Sequence, residues 1–193
     1  MSYEDMLTKQ NARQELRARL SAQDPTDRAR RSLLIQRKLF YLETFRKARC
    51  VLFFASLPGE VDTASMIDAA IESGKRVLVP LTDLAARRLD LFEIRDRSEL
   101  KKGATLGIPE PDPASARRAS ASEVEFAVVP GLGFDADRNR IGRGAGLYDR
   151  FLTSLAPGTP KVAIAFACQI LPSVPVEEFD VKVDLILTEE GQV

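Results

Sequence analysis

Five short apolar runs punctuate the chain, at 50–55, 76–81, 126–130, 162–166 and 184–188, and they constrain the fold more than any other feature. Runs of this length that lack strict alternation suit strands buried on both faces. Parallel strands need crossovers, and amphipathic segments stand between several of the runs. The pattern predicts an α/β fold: a three-layer α/β/α arrangement with a mostly parallel central sheet. With 193 residues and 45% hydrophobic content, one α/β domain over 1–193 has enough apolar side chains for its core.

A helix is expected from Asp24 to Lys47, with Asp24 as cap, Pro25 in the first turn and Leu33, Leu34, Leu39, Phe40, Leu42 and Phe45 forming a broad apolar face. A shorter helix precedes it through Leu16 and Leu20. Another runs through Met66, Ile67, Ala70 and Ile71, capped by Asp62 or Thr63, and a further one covers about Leu147 to Leu155. Leu89 to Ile94 reads as an antiparallel addition to the sheet, and PEPDPASARRASAS as a surface loop.

Composition excludes several chemistries. The chain has no histidine, which removes Ser-His-Asp and Cys-His nucleophile systems and any histidine base. Cys50 and Cys168 stand alone and far apart, against a zinc site or a disulfide framework, and this fits a reducing cytoplasm. Lys plus Arg equals Asp plus Glu at 28 each, so no overall field would collect nucleic acid and any anion site must be local. Neither a signal peptide nor a membrane span is expected: Ser2 to Arg19 mixes Glu4, Asp5, Lys9, Arg13, Glu15 and Arg17 among apolar residues.

The densest chemistry lies in PGLGFDADRNRIGRGAGLYDR, Pro130 to Arg150, between a strand and a helix. Ligands of open parallel sheets collect at that position. Alternating Gly142, Gly144 and Gly146 let the backbone approach a polyphosphate, and Arg140, Arg143 and Arg150 supply positive charge. A glycine-bearing strand-to-helix loop is more often only a tight turn. Three arginines so close together repel one another unless an anion or carboxylates neutralise them, which favours a ligand site. No GxxxxGK[ST] occurs, and GLGFDA, Gly131 to Ala136, matches the loose dinucleotide pattern without an apolar period to open the following helix.

PGLGFD followed by RIGRGAGLYDR, with SLPGEVDT, GIPEP, a Gln after the next strand and a closing VDLILT, resembles the 5-formyltetrahydrofolate cyclo-ligase family along nearly the whole chain. The resemblance implies a NagB/RpiA/CoA-transferase-like fold. It also implies ATP-dependent conversion of 5-formyltetrahydrofolate to 5,10-methenyltetrahydrofolate, with release of ADP and phosphate through a phosphorylated formyl group. ATP and Mg²⁺ would be required, the partner would be a reduced folate, and a cytoplasmic monomer of one-carbon metabolism is expected. Arg13 and Arg17, four residues apart on one helix face, would meet ATP. So would Arg140, Ile141, Gly142, Arg143, Gly144, Ala145, Gly146, Leu147 and Tyr148, with Arg143 and Tyr148 as catalytic groups. Leu57, Glu60 and Tyr148 would bind the folate, and Asp149 and Asp184 the metal. Arg13, Asn139 and Leu147 depart from the family pattern, Arg13 standing for its usual Lys. These departures leave a non-catalytic nucleotide- or folate-binding relative as the alternative, and GLGFDA an NAD-dependent oxidoreductase as a weaker one.

Overall fold

The structure is a computed structural model that describes residues 8–103 and 107–193; Glu4 and Asp5 of the amino-terminal reading lie outside the described residues. The helices are α1 (Lys9–Ser21), α2 (Pro25–Tyr41), α3 (Glu43–Lys47), α4 (Ala64–Glu72) and α5 (Leu147–Leu152). The first half of the chain supplies β1 (Cys50–Leu52), β2 (Arg76–Asp83), β3 (Arg88–Ile94), β4 (Leu100–Lys102) and β5 (Pro109–Pro111). The second half supplies β6 (Arg117–Ala119), β7 (Phe126–Val129), β8 (Gly133–Phe134), β9 (Arg140–Ile141), β10 (Lys161–Ile164) and β11 (Leu185–Leu187).

The main sheet has seven strands in the order β11-β10-β7-β1-β2-β3-β6. Five of them, β11 through β2, run parallel, while β3 and β6 add antiparallel at one edge. Alternate residues of each strand feed two cores. Val51, Val77, Phe126 and Val162 pack against Leu16, Ile35, Leu39 and Met66 of α1, α2 and α4. On the other face Leu52, Leu78, Ala127 and Ala163 meet Phe151 and Leu152 of α5. Helical layers on both faces agree with the sequence reading, although the second layer holds only one short helix among the described residues.

Four features differ from expectation by more than two residues, each for a local reason. The helix expected from Asp24 to Lys47 breaks at Leu42, whose ψ of 129° is extended. The break turns Phe45 into the core, where its ring meets Phe53 and Phe126 edge-on at 6.2 and 5.3 Å. Strand β1 stops at Leu52, because the chain then leaves the sheet for a loop that ties itself back through Thr63 Oγ1 donating to Phe54 O at 2.7 Å.

Helix α5 ends at Leu152, short of Leu155, where the Thr153 and Ser154 hydroxyls donate to the carbonyls of Arg150 and Phe151. The Pro/Ser-rich surface stretch contains two strands rather than loop alone. Cross-strand charge holds one of them: Arg117 meets Glu93 at 2.7 Å and Arg118 meets Asp90 at 2.6 Å.

Candidate active site

The carboxyl ends of β1, β2 and β7 open into a cavity of about 260 Å³ whose walls include Phe54, Pro80 and Pro130. Three segments are brought to it. The first is the loop after β1, where Thr63 Oγ1 accepts from Ser56 N at 3.0 Å and Glu60 Oε2 accepts from Leu57 N at 2.9 Å. These bonds close the loop on itself and place Leu57 and Glu60 on the cavity wall.

The second segment follows β7. GLGFDA opens no helix; it forms β8 and turns back through β9, so the dinucleotide match has no structural counterpart. A side chain at Gly133 would bring its Cβ within 2.4 Å of Leu16 Cδ1, so this glycine serves the packing of α1 on the hairpin. Asp135 is buried and holds the turn: its oxygens accept from Asn139 N, Asn139 Nδ2 and Val174 N at 2.8 to 2.9 Å. Gln169 supports the same segment by donating to the carbonyls of Gly131 and Leu132 at 2.9 and 3.1 Å.

Beyond β9 every residue from Arg140 through Asp149 lines the cavity. Gly144 has φ of 113° and Gly146 has φ of 65°, conformations that a side chain rarely permits. The loop thereby curls back toward the sheet and enters α5, whose cap Gly146 offers no side-chain oxygen to the first-turn N–H groups.

The third segment is α1. Arg13 Nε donates to Gly142 O at 2.9 Å and so pins the helix to the glycine loop. Lys9, one turn earlier, also lines the cavity and lies 2.6 Å from Asp180 and 3.0 Å from Glu177. Burial disfavours its ammonium, but the bonds and charges of the two acids outweigh that and raise its pKa.

Two buried groups lack part of their expected bonding. Arg140, only 3% exposed, donates to Asp149 Oδ1 at 2.5 Å, yet its Nε has no partner among the described residues. The Tyr148 hydroxyl is likewise buried and unpartnered there. Burial pushes that phenol's pKa far up, more than the Arg140 guanidinium 5.9 Å from the ring pulls it down. Tyr148 therefore stays protonated and has a hydrogen-bond donor to offer.

Most of the expected site residues converge here: Arg13, Leu57, Glu60, Asp149 and the loop from Arg140 to Tyr148. Three do not. Arg17 is exposed on α1 and outside the cavity lining, so the basic pair of this helix sits one turn earlier, at Lys9 and Arg13. The Lys-x-x-x-Arg spacing at Lys9 was the signal available in the sequence. It also supplies the lysine for which Arg13 was read as a replacement.

Asp184 is not at the cavity. Its Oδ2 accepts from Lys161 N at 2.7 Å and faces Lys161 Nζ at 3.2 Å, at the amino ends of β10 and β11, whereas the cavity lies at carboxyl ends. It therefore does not join Asp149 in a metal site. Arg150 points to Arg87 O in the β2–β3 turn at 3.2 Å and leaves the loop's charge to Arg140 and Arg143. Sequence reasoning also missed Glu177 and Asp180, which carry no recognisable spacing.

A mostly parallel α/β sheet with a glycine-and-arginine loop and a basic helix at the carboxyl edge of its strands defines an α/β protein with a cation-lined cavity at that edge. Known proteins of the same kind make the class more specific. The model of the 5-formyltetrahydrofolate cyclo-ligase family matches residues 5–189, and the chain belongs to that family. It is 32% identical over 193 residues to the 5-formyltetrahydrofolate cyclo-ligase of Mus musculus, covering 95% of this chain and 94% of the mouse protein. The Escherichia coli K12 cyclo-ligase is 33% identical over 143 residues, covering 73% and 78% of the two chains. Among solved structures, the 5,10-methenyltetrahydrofolate synthetase of Aquifex aeolicus superposes with a TM-score of 0.82 at 28% identity, covering 95% and 91%.

Proposed function

We propose that this chain is an ATP-dependent ligase that converts 5-formyltetrahydrofolate to 5,10-methenyltetrahydrofolate, with ADP and phosphate as the other products. The observation that carries the reading is the convergence of Lys9, Arg13, Arg140 and Arg143 on one glycine-bearing loop beside the Leu57–Glu60 wall. Cations and free N–H groups suit a triphosphate. Glu60 offers a carboxylate to the donor edge of a pterin, and Leu57 gives that ring an apolar face.

Within the cavity, Arg143 and the loop amides would orient the γ-phosphoryl group toward the formyl oxygen. Attack forms the O–P bond and breaks the bond to ADP. The neighbouring N10 amine then forms the C–N bond to the formyl carbon, phosphate departs with its oxygen, and the amine proton is lost. Such transfers depend mainly on positioning and on charge stabilisation. The Tyr148 hydroxyl, protonated and without a partner among the described residues, would donate to an oxygen of the reacting group.

Magnesium fits as the companion of ATP rather than as a resident ion. No group of three or more acidic, Cys or His residues that could hold a metal occurs among the described residues. Asp149 lines the cavity and turns Oδ1 to Arg140 and to Val181 N; a single carboxylate there suits a cation held chiefly by phosphate and water. When bound, the ion would neutralise charge developing between the β- and γ-phosphates.

Among the described residues no helix is long and apolar enough to cross a membrane. Cys50 and Cys168 are free thiols, and the enzyme is proposed to work in the cytoplasm, as a monomer, on a reduced folate. The test is direct. The chain with magnesium, ATP and 5-formyltetrahydrofolate is expected to develop the absorbance of the methenyl product, and Arg143→Ala to lose most of it. ATP binding without any product, at high enzyme concentration, would instead identify a non-catalytic relative.

A further inference from the structure

Among the described residues five large apolar side chains stand exposed, and two of them, Val176 at 57% and Phe179 at 81%, share the connection between β10 and β11. Asp180 N donates to Glu177 O at 3.0 Å and Glu177 N to Asp180 Oδ2 at 2.7 Å, which closes a turn with Phe179 at its tip. Both ends of that turn, Glu177 and Asp180, line the active-site cavity. Leu84, exposed at 53%, lines the same cavity from the β2–β3 hairpin. The turn and the hairpin are tied to consecutive residues of α5: Val181 N donates to Asp149 Oδ1 at 3.3 Å and Arg150 Nη1 to Arg87 O at 3.2 Å.

The turn has firm ends and a light hold between them. Val174 is buried with its N–H on Asp135, and Val183 is buried with its N–H on Arg138 O. From 175 to 180 the only hydrogen bonds or ion pairs to other described residues are those of Glu177 and Asp180 with Lys9, at 3.0 and 2.6 Å. Lys9 is also one of the cations proposed to meet the triphosphate. An ammonium has three donors, so it can hold a phosphate oxygen and an acid of the turn together. Nucleotide occupancy and the position of the turn therefore share one side chain.

The proposed reaction needs water kept out. The phosphorylated formyl carbon is open to water as well as to the N10 amine: water adds to that carbon, phosphate departs with the original oxygen, protons are lost and the formyl group is restored. The net result is hydrolysis of ATP with no change in the folate. We infer that residues 175–180 form a cap that closes over the loaded cavity, laying Phe179 and Val176 with Leu84 against the ligands and displacing water from the formyl carbon. The inference rests on the ligase reading of the cavity. Closure takes apolar side chains out of water, which favours it, and loops that shut over bound substrate protect intermediates of this kind.

The coupling of ATP to product tests it, with ADP and methenyl product counted in the same reaction. The wild-type chain is expected to form the two in equal amounts. Phe179→Ala should keep the thermal midpoint, because the side chain is exposed, yet form about two or more ADP per product, the excess requiring folate, while Phe179→Leu stays near wild type. In hydrogen exchange, the amides of 176–180 in the wild-type chain should slow on addition of magnesium, a non-hydrolysable ATP analogue and 5-formyltetrahydrofolate together. An unchanged ratio in Phe179→Ala, an excess of ADP that persists without folate, or equal exchange with and without the ligands would overturn the cap alone. A wild-type chain that forms no methenyl product would overturn the ligase reading itself, and the cap with it.

Discussion

Arg143 donates from Nη2 to Glu60 Oε1 across 2.6 Å, joining the glycine loop to the loop after β1. Glu60 is only 13% exposed and Arg143 is 40% exposed, so the carboxylate is the fixed member and the guanidinium the adjustable one. The pair links the glycine loop, proposed to hold the nucleotide, with the loop wall proposed to hold the folate.

That link makes the two subsites interdependent. Glu60→Gln is expected to raise KM for 5-formyltetrahydrofolate and, through the released Arg143, to raise KM for ATP as well. Arg143→Ala should raise KM for ATP and lower kcat. In a double-mutant cycle the combined loss should fall short of the sum of the single losses by about 1 kcal/mol, as contacting residues do. Simple additivity would show that the pair does not couple the sites.

Arg140 and Asp149 form a cavity pair in which the cation is almost wholly buried. Removing one member strands the other charge, at a cost of about 3 kcal/mol or more. Asp149→Ala is therefore expected to lower the denaturant midpoint sharply and to confuse stability with catalysis. Asp149→Asn, which keeps an acceptor for Arg140, should retain more of the fold and still lose magnesium-dependent activity; urea melts alongside a magnesium titration of activity separate the two effects.

Tyr148 offers the opposite contrast. Its hydroxyl is buried without a partner among the described residues, so Tyr148→Phe removes an unsatisfied polar group and should leave stability unchanged or raise it by about 1 kcal/mol. The same change should reduce kcat more than KM, because the donor is proposed to act on the reacting oxygen. Thermal melts and initial rates on one preparation decide it; a variant that loses stability while keeping kcat would assign the hydroxyl to packing.

Cys50 ties stability to pH. Burial raises the thiol's pKa from 9.0 to about 11, with nearby Arg76 pulling slightly the other way. The folded state then holds the proton more tightly than the unfolded state. Stability from this group is complete below pH 9 and is lost as pH rises toward 11, by about 2 kcal/mol. Urea midpoints measured from pH 8 to 11 should fall more steeply for the wild-type chain than for Cys50→Ala. Identical slopes would remove Cys50 from the account.

Much of the architecture was legible because buried parallel strands write themselves as uninterrupted apolar runs. Cys50–Leu52 and Phe126–Val129 fall inside such runs, and Lys161–Ile164 begins one residue before its run. The glycine loop was legible for a different reason: alternating glycines and arginines between a strand and a helix stand out locally, and Arg140 to Asp149 do line the cavity.

What escaped depended on long-range contacts. The break at Leu42 is dictated by Phe45 reaching Phe126, eighty-one positions away, and no local propensity encodes it. Arg117 and Arg118 looked like loop residues until β3 supplied Glu93 and Asp90 opposite them. At the site, the position of Lys9 against Glu177 and Asp180 and the displacement of Asp184 to the amino ends of the strands follow from topology. Spacing alone could not rank Lys9–Arg13 above Arg13–Arg17.

The loop from Arg140 to Asp149 is proposed to grip the nucleotide's triphosphate next to Lys9 and Arg13. A crystal structure grown with magnesium and a non-hydrolysable ATP analogue addresses it most directly. The expected result is phosphate oxygens within hydrogen-bond distance of the Gly144 to Gly146 amides and of the Lys9, Arg13 and Arg143 side chains, with the metal on Asp149. Phosphates bound at another edge of the sheet, with Arg143 still paired to Glu60 and the glycine loop free of ligand, would contradict it.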